Sequence, residues 1–336
     1  MMGSIGTHSG KFHCDEAFAC FMLKCLPAFR DCNIIRSRDS QVLDKCKVVV
    51  DVGGIYDHGK LRYDHHQRGF TSTLKTVRNL EFYTKLSSAG LIFAHYGKDV
   101  IAHLLDIEKT HPSMDILYSK MYESFVEAID AVDNGISQYD GPPRYQIGTT
   151  LSDRVGYLNP AWNDDPNINS DERFKDAINL VGQEFSDRLR YAFKSWLPAR
   201  DIVKDAIEAR HNVDKCGQIL VISSGGVPWK DHFFQLEKEL NLGSEKISYI
   251  VFQDNIDHQW RVQSIPLNET STFENRIPLP EEWRGRRNGE LSDISGIPGC
   301  IFVHINGFIG GNSTREGAVA MAVNSLQRTS KEVDSK

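Results

Sequence analysis

The sequence predicts an α/β protein: a doubly wound, mainly parallel sheet, then a helical connection to a smaller α+β C-terminal domain. Three observations lead there. Apolar strand-like runs alternate with amphipathic helical patterns through the first 133 or so positions, the signature of strand–helix–strand units. A stretch from Glu172 to about His211 is almost wholly helical, and β-rich runs follow it. At 336 residues, the chain exceeds what one hydrophobic core usually supports. The boundaries fall at 1–170 for the first domain, 171–213 for the connector and 214–336 for the second domain.

Taken in order, Asp15 precedes Phe18, Phe21, Met22, Cys25 and Leu26, the stripe of an amphipathic helix that Pro27 ends. Lys47-Val48-Val49-Val50-Asp51-Val52-Gly53-Gly54 reads as a buried parallel strand that delivers a carboxylate at its C-terminal end, the edge where open α/β sheets bind ligands. Ser87-Ser88-Ala89-Gly90 opens a helix through Leu91, Ile92, Phe93 and His95, and positions 115–133 give another. The helical connector runs through Phe174, Ile178, Phe185, Leu189 and Phe193, with a break at Trp196-Leu197-Pro198. Beyond it, Gln218–Ile222, Ser248–Phe252 and Gln259–Ser264 read as strands, with Asp257-His258 in a hairpin turn. Gly307-Phe308-Ile309-Gly310-Gly311-Asn312 reads as a glycine-rich loop before a helix from about Thr314.

Composition narrows the function class. A net charge of -6 argues against a surface that coats nucleic acid non-specifically, so any such contact is local. The seven cysteines form no CxxC pair and crowd into the first 46 positions and two later sites, which is not a disulfide framework; a cytosolic, nuclear or organelle-matrix protein is expected. No apolar run reaches the roughly 18 residues of a membrane span, and no secretory leader opens the sequence.

The chemistry sits in four clusters. Asp64-His65-His66 follows Tyr63 between Arg62 and Arg68; His8, His13 and Asp15 share one loop; Asp51 ends a strand; Asp130 and Asp133 end a helix at Ile129–Gly135. Singly, each has a plain structural role available, Asp15 as a helix N-cap for example. Together they sit where a doubly wound sheet would converge them at its C-terminal edge. Imidazole and carboxylate without thiolate suit Mn²⁺ or Mg²⁺, with Fe²⁺, Co²⁺ or Zn²⁺ as further options, and two ions about 3.5–4 Å apart need a shared carboxylate. Asp51 is the candidate bridge. Such a pair acidifies a water and neutralises charge on phosphorus oxygens, so hydrolysis of a phosphate ester is expected.

The motifs Gly6-Thr7-His8-Ser9-Gly10-Lys11-Phe12-His13-Cys14-Asp15-Glu16, Val50-Asp51-Val52-Gly53-Gly54, Tyr63-Asp64-His65-His66-Gln67-Arg68, Ala131-Val132-Asp133-Asn134-Gly135 and Gly296-Ile297-Pro298-Gly299-Cys300-Ile301-Phe302-Val303-His304 resemble the Myg (melanocyte proliferating gene) family. That family is similar to the DHH phosphoesterase superfamily of RecJ exonucleases, oligoribonucleases and manganese pyrophosphatases, and the resemblance spans nearly the whole chain. It implies a DHH-type fold and a 3′-to-5′ exonuclease on single-stranded RNA or short oligonucleotides, working in nucleus and mitochondrion with two divalent ions, Mn²⁺ first and Mg²⁺ as the alternative. It makes His8, His13 and Asp51 ligands of one ion and Asp15, Asp51, His65 and Asp133 ligands of the other, with Asp130 as a substitute for Asp133. His66 would face the scissile phosphate. Superfamily relatives commonly carry Asp where this chain has His13, in a loop one residue shorter.

By the same resemblance, Gly310, Gly311, Asn312 and Arg315 would grip substrate, and glycines before a helix do let backbone N–H groups approach a phosphate. Arg62, Arg68 and Lys11 are candidate phosphate contacts. Trp229, Trp260 and Trp283 are expected mostly in the core. Two rival readings stand beside the exonuclease: a small-molecule pyrophosphatase or short-nucleotide phosphatase, and a non-catalytic metal-binding scaffold. The oligomeric state is left open.

Overall fold

In the computed structural model, which describes residues 3–165, 167–244, 246–271 and 274–334, short apolar runs assemble the first sheet. Its strands are β1 (Ser4–Thr7), β2 (Asn33–Arg36), β3 (Val48–Val50), β4 (Tyr56–Asp57) and β5 (Arg62–Tyr63), in the order β2-β1-β3-β5-β4. β1 pairs in parallel with β2 and β3, and β3 with β5; β4 alone runs antiparallel. The sheet is thus mainly parallel. β3 is three valines, all buried, as expected for a strand covered on both faces.

Helix α1 (Cys14–Cys25) follows β1, and its cap residue Leu26 turns extended before Pro27. It packs against α2 (Ser88–Leu105) and, further along the chain, α5 (Ser170–Tyr191). Between these lies α3 (Met114–Met121), which passes through a π-helical turn, Tyr122–Val126, into α4 (Glu127–Asp133). Phe18, Phe125 and Phe185 meet at ring-centroid distances of 4.9, 5.3 and 5.3 Å and lock α1, the π-turn and α5 together. Burying each such ring contributes about 1.5–3 kcal/mol.

The chain divides into two compact units, Met1–Phe193 and Lys194–Lys336. The stretch read as a connector is therefore divided, α5 belonging to the first unit and α6 (Leu197–Glu208) to the second. The second unit is built on a mixed sheet, β6 (Ile219–Ile222), β7 (Tyr249–Gln253), β8 (Trp260–Ser264), β9 (Cys300–Val303) and β10 (Ile309–Asn312), ordered β6-β7-β8-β10-β9. Only β6 and β7 are parallel. Helices α7 (Trp229–Glu239), α8 (Asn288–Ser295) and α9 (Arg315–Asp334) complete it. Trp283 is fully buried, while Trp229 and Trp260 are half-buried against the core.

The glycine-rich stretch read as a loop is strand β10. A Cβ on Gly310 would lie 3.1 Å from the Phe302 carbonyl oxygen, and one on Gly311 2.9 Å from the Phe302 ring. These glycines let two strands and a ring approach closely. All seven cysteines are free thiols, six of them buried. Among the described residues no helix is long and apolar enough to cross a membrane.

Candidate metal centre

The parallel strands of the first unit end on one edge and deliver side chains there. His8 follows β1, Asp51 follows β3, and Asp64, His65 and His66 follow β5. The strand order departs in opposite directions on the two sides of β1, so the edge between β1 and β3 is a switch point where a doubly wound sheet leaves a crevice. Asp51 sits there with φ of 58°, in the left-handed region that non-glycine residues rarely occupy. Its N–H donates to the Tyr63 carbonyl at 3.0 Å, and Gly53 and Gly54 (φ 99° and 67°) complete the turn. Such strain persists where surrounding contacts hold it, and it is concentrated at functional sites.

Two helix ends close on this edge. The start of α1 brings His13, Asp15 and Glu16, and the end of α4 brings Asp133. His8 Nε2 lies 2.8 Å from Glu16 and 3.3 Å from Asp51; His65 Nε2 lies 3.4 Å from Asp51 and 3.0 Å from Asp133. Three sets of ligand atoms each fall within 4.8 Å: His8, His13, Glu16 and Asp51; Asp51, His65 and His66; His13, Asp15 and Asp133. Asp51 joins the first two sets and His13 the first and third.

Burial alone would lower the His8 imidazole, but contacts with Asp51 and Glu16 raise it to about 10. His65 follows the same logic, raised to about 10 by Asp133 and Asp51 against its burial. Desolvation pushes the Asp15 carboxyl up, helped by the nearby Asp133 charge and opposed by the Ser88 hydroxyl. Desolvation likewise pushes Glu16 well up, with His8 opposing. Asp15 Oδ1 is buried with no hydrogen-bond partner, and Asp51 Oδ1 and His65 Nε2 face each other at 3.4 Å, both buried, without hydrogen-bond geometry. Several carboxylates and imidazoles in one buried place, with unpartnered ligand atoms facing each other, fit divalent cations of the oxygen- and nitrogen-loving kind.

A supporting layer orients these groups. Asp64, itself buried, accepts from the Gly54 N–H at 2.6 Å and from the His66 N–H and Nδ1 at 3.0 and 2.7 Å. His65 Nδ1 donates to Asn134 Oδ1 at 3.3 Å, and Ser88 Oγ donates to Asp15 at 2.6 Å. Arg36, whose side chain is 4% exposed, donates to the Gly10 carbonyl at 2.5 Å and to Ser170 Oγ at 2.9 Å, with its guanidinium over Phe12 and Phe174. It thereby pins the loop between His8 and His13.

The structure brings His8, His13, Asp15, Asp51, His65, His66 and Asp133 together. Asp130 stands apart: fully buried, it accepts from the Ser87 N–H, Ser87 Oγ, Gly90 N–H and Tyr122 hydroxyl. Arg62 donates to the carbonyls of Lys60, Leu61 and Cys46, whereas Arg68 and Lys11 are exposed. In the second unit Asn312 is fully buried, its oxygen accepting from the Thr314 N–H and its amide donating to the Pro298 carbonyl, while Arg315 opens α9. Glu16 escaped the sequence reading. Its signal was the spacing His13-x-x-Glu16 at a helix start, where the Glu16 carboxylate accepts from the His13 N–H at 2.9 Å.

A protein-family model, MYG1_exonuc, described as an uncharacterised protein family (UPF0160), matches residues 4–326. The chain belongs to the MYG1 family. A MYG1 protein of Caenorhabditis elegans is 55% identical over 97% of this chain and 96% of its own length. MYG1 exonuclease of Homo sapiens is 50% identical over 97% of this chain and 86% of its own. A MYG1 protein of Saccharomyces cerevisiae is 43% identical over 97% and 96%. Among solved structures, RecJ of Thermus thermophilus in complex with Mn²⁺ aligns over 98% of this MYG1-family chain, which spans about half (52%) of that RecJ chain, at 13% identity and a TM-score of 0.25, too low to carry a fold argument.

Proposed function

We propose that this MYG1-family protein is a DHH-type, divalent-metal-dependent phosphodiester hydrolase, working as a 3′-to-5′ exonuclease on single-stranded RNA. The observation that carries the reading is Asp51. It is held in a strained turn at the sheet's switch point, with His8 on one side, His65 on the other and a buried unpartnered oxygen between them. Mammalian relatives that are about half identical over most of the chain bear the name exonuclease, which supports the reaction class.

His8, His13 and Asp51, joined by Glu16, would hold one ion, and Asp15, Asp51, His65 and Asp133 the other, with Mn²⁺ the expected metal and Mg²⁺ the alternative. When bound, such ions neutralise charge on the phosphorus oxygens and lower the pKa of the attacking water. The chain's own groups do the rest. Asp64 accepts from His66 Nδ1 and so holds that ring in one tautomer, with Nε2 left for the phosphate or the leaving oxygen. The His66 side chain is 62% exposed, as a group that meets substrate must be. Arg68 and Lys11 are proposed phosphate contacts in the first unit and Arg315 in the second; Asn312 orders the start of α9 through the Thr314 N–H, whereas Gly310 and Gly311, buried in β10, serve strand packing rather than substrate. The nucleus and the mitochondrion are the proposed sites of action.

The test is hydrolysis of RNA and DNA strands of the same sequence, labelled at the 5′ or the 3′ end, with Mn²⁺ and with EDTA. A ladder shortening from the 3′ end of RNA, abolished by EDTA, supports the proposal. Cleavage of pyrophosphate or dinucleotides alone would replace it with a small-molecule phosphatase, and no turnover with any phosphate ester would leave a metal-binding scaffold.

A further inference from the structure

The first unit concentrates exposed aromatic rings in one stretch of its chain. Among the described residues, six tyrosines and tryptophans are exposed, and four of them lie between positions 139 and 162: Tyr139 (52%), Tyr145 (73%), Tyr157 (80%) and Trp162 (96%). Ile136 and Ile147 are exposed in the same stretch. Rings left in water forgo the stabilisation that burial gives, and so many in one short stretch call for a ligand that covers them.

Both ends of the stretch are tied to the candidate metal centre. It begins directly after Asp133 and Asn134, the latter bonded to His65 Nδ1. It returns at Asn159, whose side chain accepts from the Phe12 N–H and donates to the Phe12 carbonyl, both at 2.9 Å, one residue before His13. The short helix Leu151–Gly156 packs on α1, the helix that carries Asp15 and Glu16.

The rings, rather than charge, select the ligand. Positions 136–165 hold four aspartates and two arginines, so this surface does not attract phosphates and offers little to a duplex, which hides the faces of its bases. Flat rings grip unpaired bases through stacking, which is indifferent to sequence, while the backbone phosphates are left to groups elsewhere.

We propose that Tyr139, Tyr145, Tyr157 and Trp162 form a stacking platform for the unpaired bases of a strand engaged at the metal centre. This rests on the hydrolase reading above and deepens it: substrate is held by its bases, beside a site that handles its phosphates.

The experiment measures binding of the full chain, treated with EDTA, to a short fluorescein-labelled single strand, to an abasic strand of equal length, and to the corresponding duplex. Hydrolysis of bis(p-nitrophenyl) phosphate, an ester without a base, is followed with Mn²⁺. The Tyr145→Ala/Trp162→Ala variant should weaken strand binding by about five-fold or more for each ring removed, leaving abasic-strand binding and ester hydrolysis as in wild type. Equal affinity of wild type for the normal and abasic strands, or an unchanged affinity in the variant, would overturn the platform. Loss of self-association with strand binding intact would overturn it in favour of a protein interface. Failure of the hydrolase reading looks different: the wild type would cleave neither ester nor strand, while the rings still bound bases.

Discussion

Asp130 and Asp133 lie nearly one helical turn apart and do different things. Asp133 approaches His65 at 3.0 Å, whereas Asp130 gathers four donors and anchors the start of α2, where Ser88 meets Asp15. Removing its carboxylate leaves two buried backbone N–H groups without an acceptor, so Asp130→Ala should destabilise by about 3 kcal/mol or more in denaturant unfolding. Asp130→Asn keeps one acceptor oxygen and should cost far less. Burial, against these donors, raises the Asp130 carboxyl to about 7. The folded state then holds a proton that the unfolded chain has released, so this residue's contribution to stability is full below about 4 and declines as pH rises towards 7. In Asp130→Asn that decline should vanish from the pH dependence of the unfolding free energy; an identical slope in both proteins would contradict the assignment. The sequence left these two aspartates as alternatives because what separates them, the company of Ser87, Gly90 and Tyr122, lies some 8 to 43 positions away along the chain. Glu16 was hidden differently, since its role depends on the β1 loop folding His8 back over the helix start.

At the scale of elements, the His8–His13 loop has no regular structure, and Arg36 from β2 pins it. Arg36→Ala should lower Mn²⁺ affinity by about ten-fold or more, the usual effect of losing a residue that orients metal ligands, with Arg36→Lys recovering part of it. Titration calorimetry would check this, and unchanged affinity with only a lower melting temperature would show Arg36 to be merely structural. On α2, a Cβ at Gly90 would sit 2.3 Å from Asp130 Oδ2. Gly90→Ala should therefore cost about 1–3 kcal/mol through overpacking, measured by thermal unfolding, despite alanine's better helix propensity. Strand and helix patterns near the site were legible because valine runs and amphipathic stripes are local signals. Strand β10 was not legible. Its Ile309-Gly310-Gly311-Asn312 reads as a loop by propensity, and only the closeness of Phe302 and Met321 explains why glycine is required in a strand.

For the molecule as a whole, the site places Asp15, Glu16, Asp51 and Asp133 near one another with little solvent, and burial pushes the Asp15 and Glu16 carboxyls up. A divalent ion that binds only the folded chain adds about 2.7 kcal/mol at a hundred-fold excess over its Kd. Mn²⁺ should raise the melting temperature, EDTA should reverse the shift, and Asp51→Asn should abolish it. The α/β class and the mainly parallel first sheet could be read from the order of patterns along the chain. The division near Phe193 could not, because one long helical pattern runs through it and only packing assigns its halves to different units.

The most direct measurement is a Mn²⁺ titration of metal-stripped protein, reading bound ion by the electron paramagnetic resonance of free Mn²⁺ and the rate of RNA hydrolysis at each point, in wild type and Asp51→Asn. Two ions per chain are expected in the wild type, with hydrolysis rising as the second binds, and Asp51→Asn should show weakened binding and no turnover. Hydrolysis that persists without metal, or an Asp51→Asn protein that cleaves at the wild-type rate, would contradict the assignment of this site.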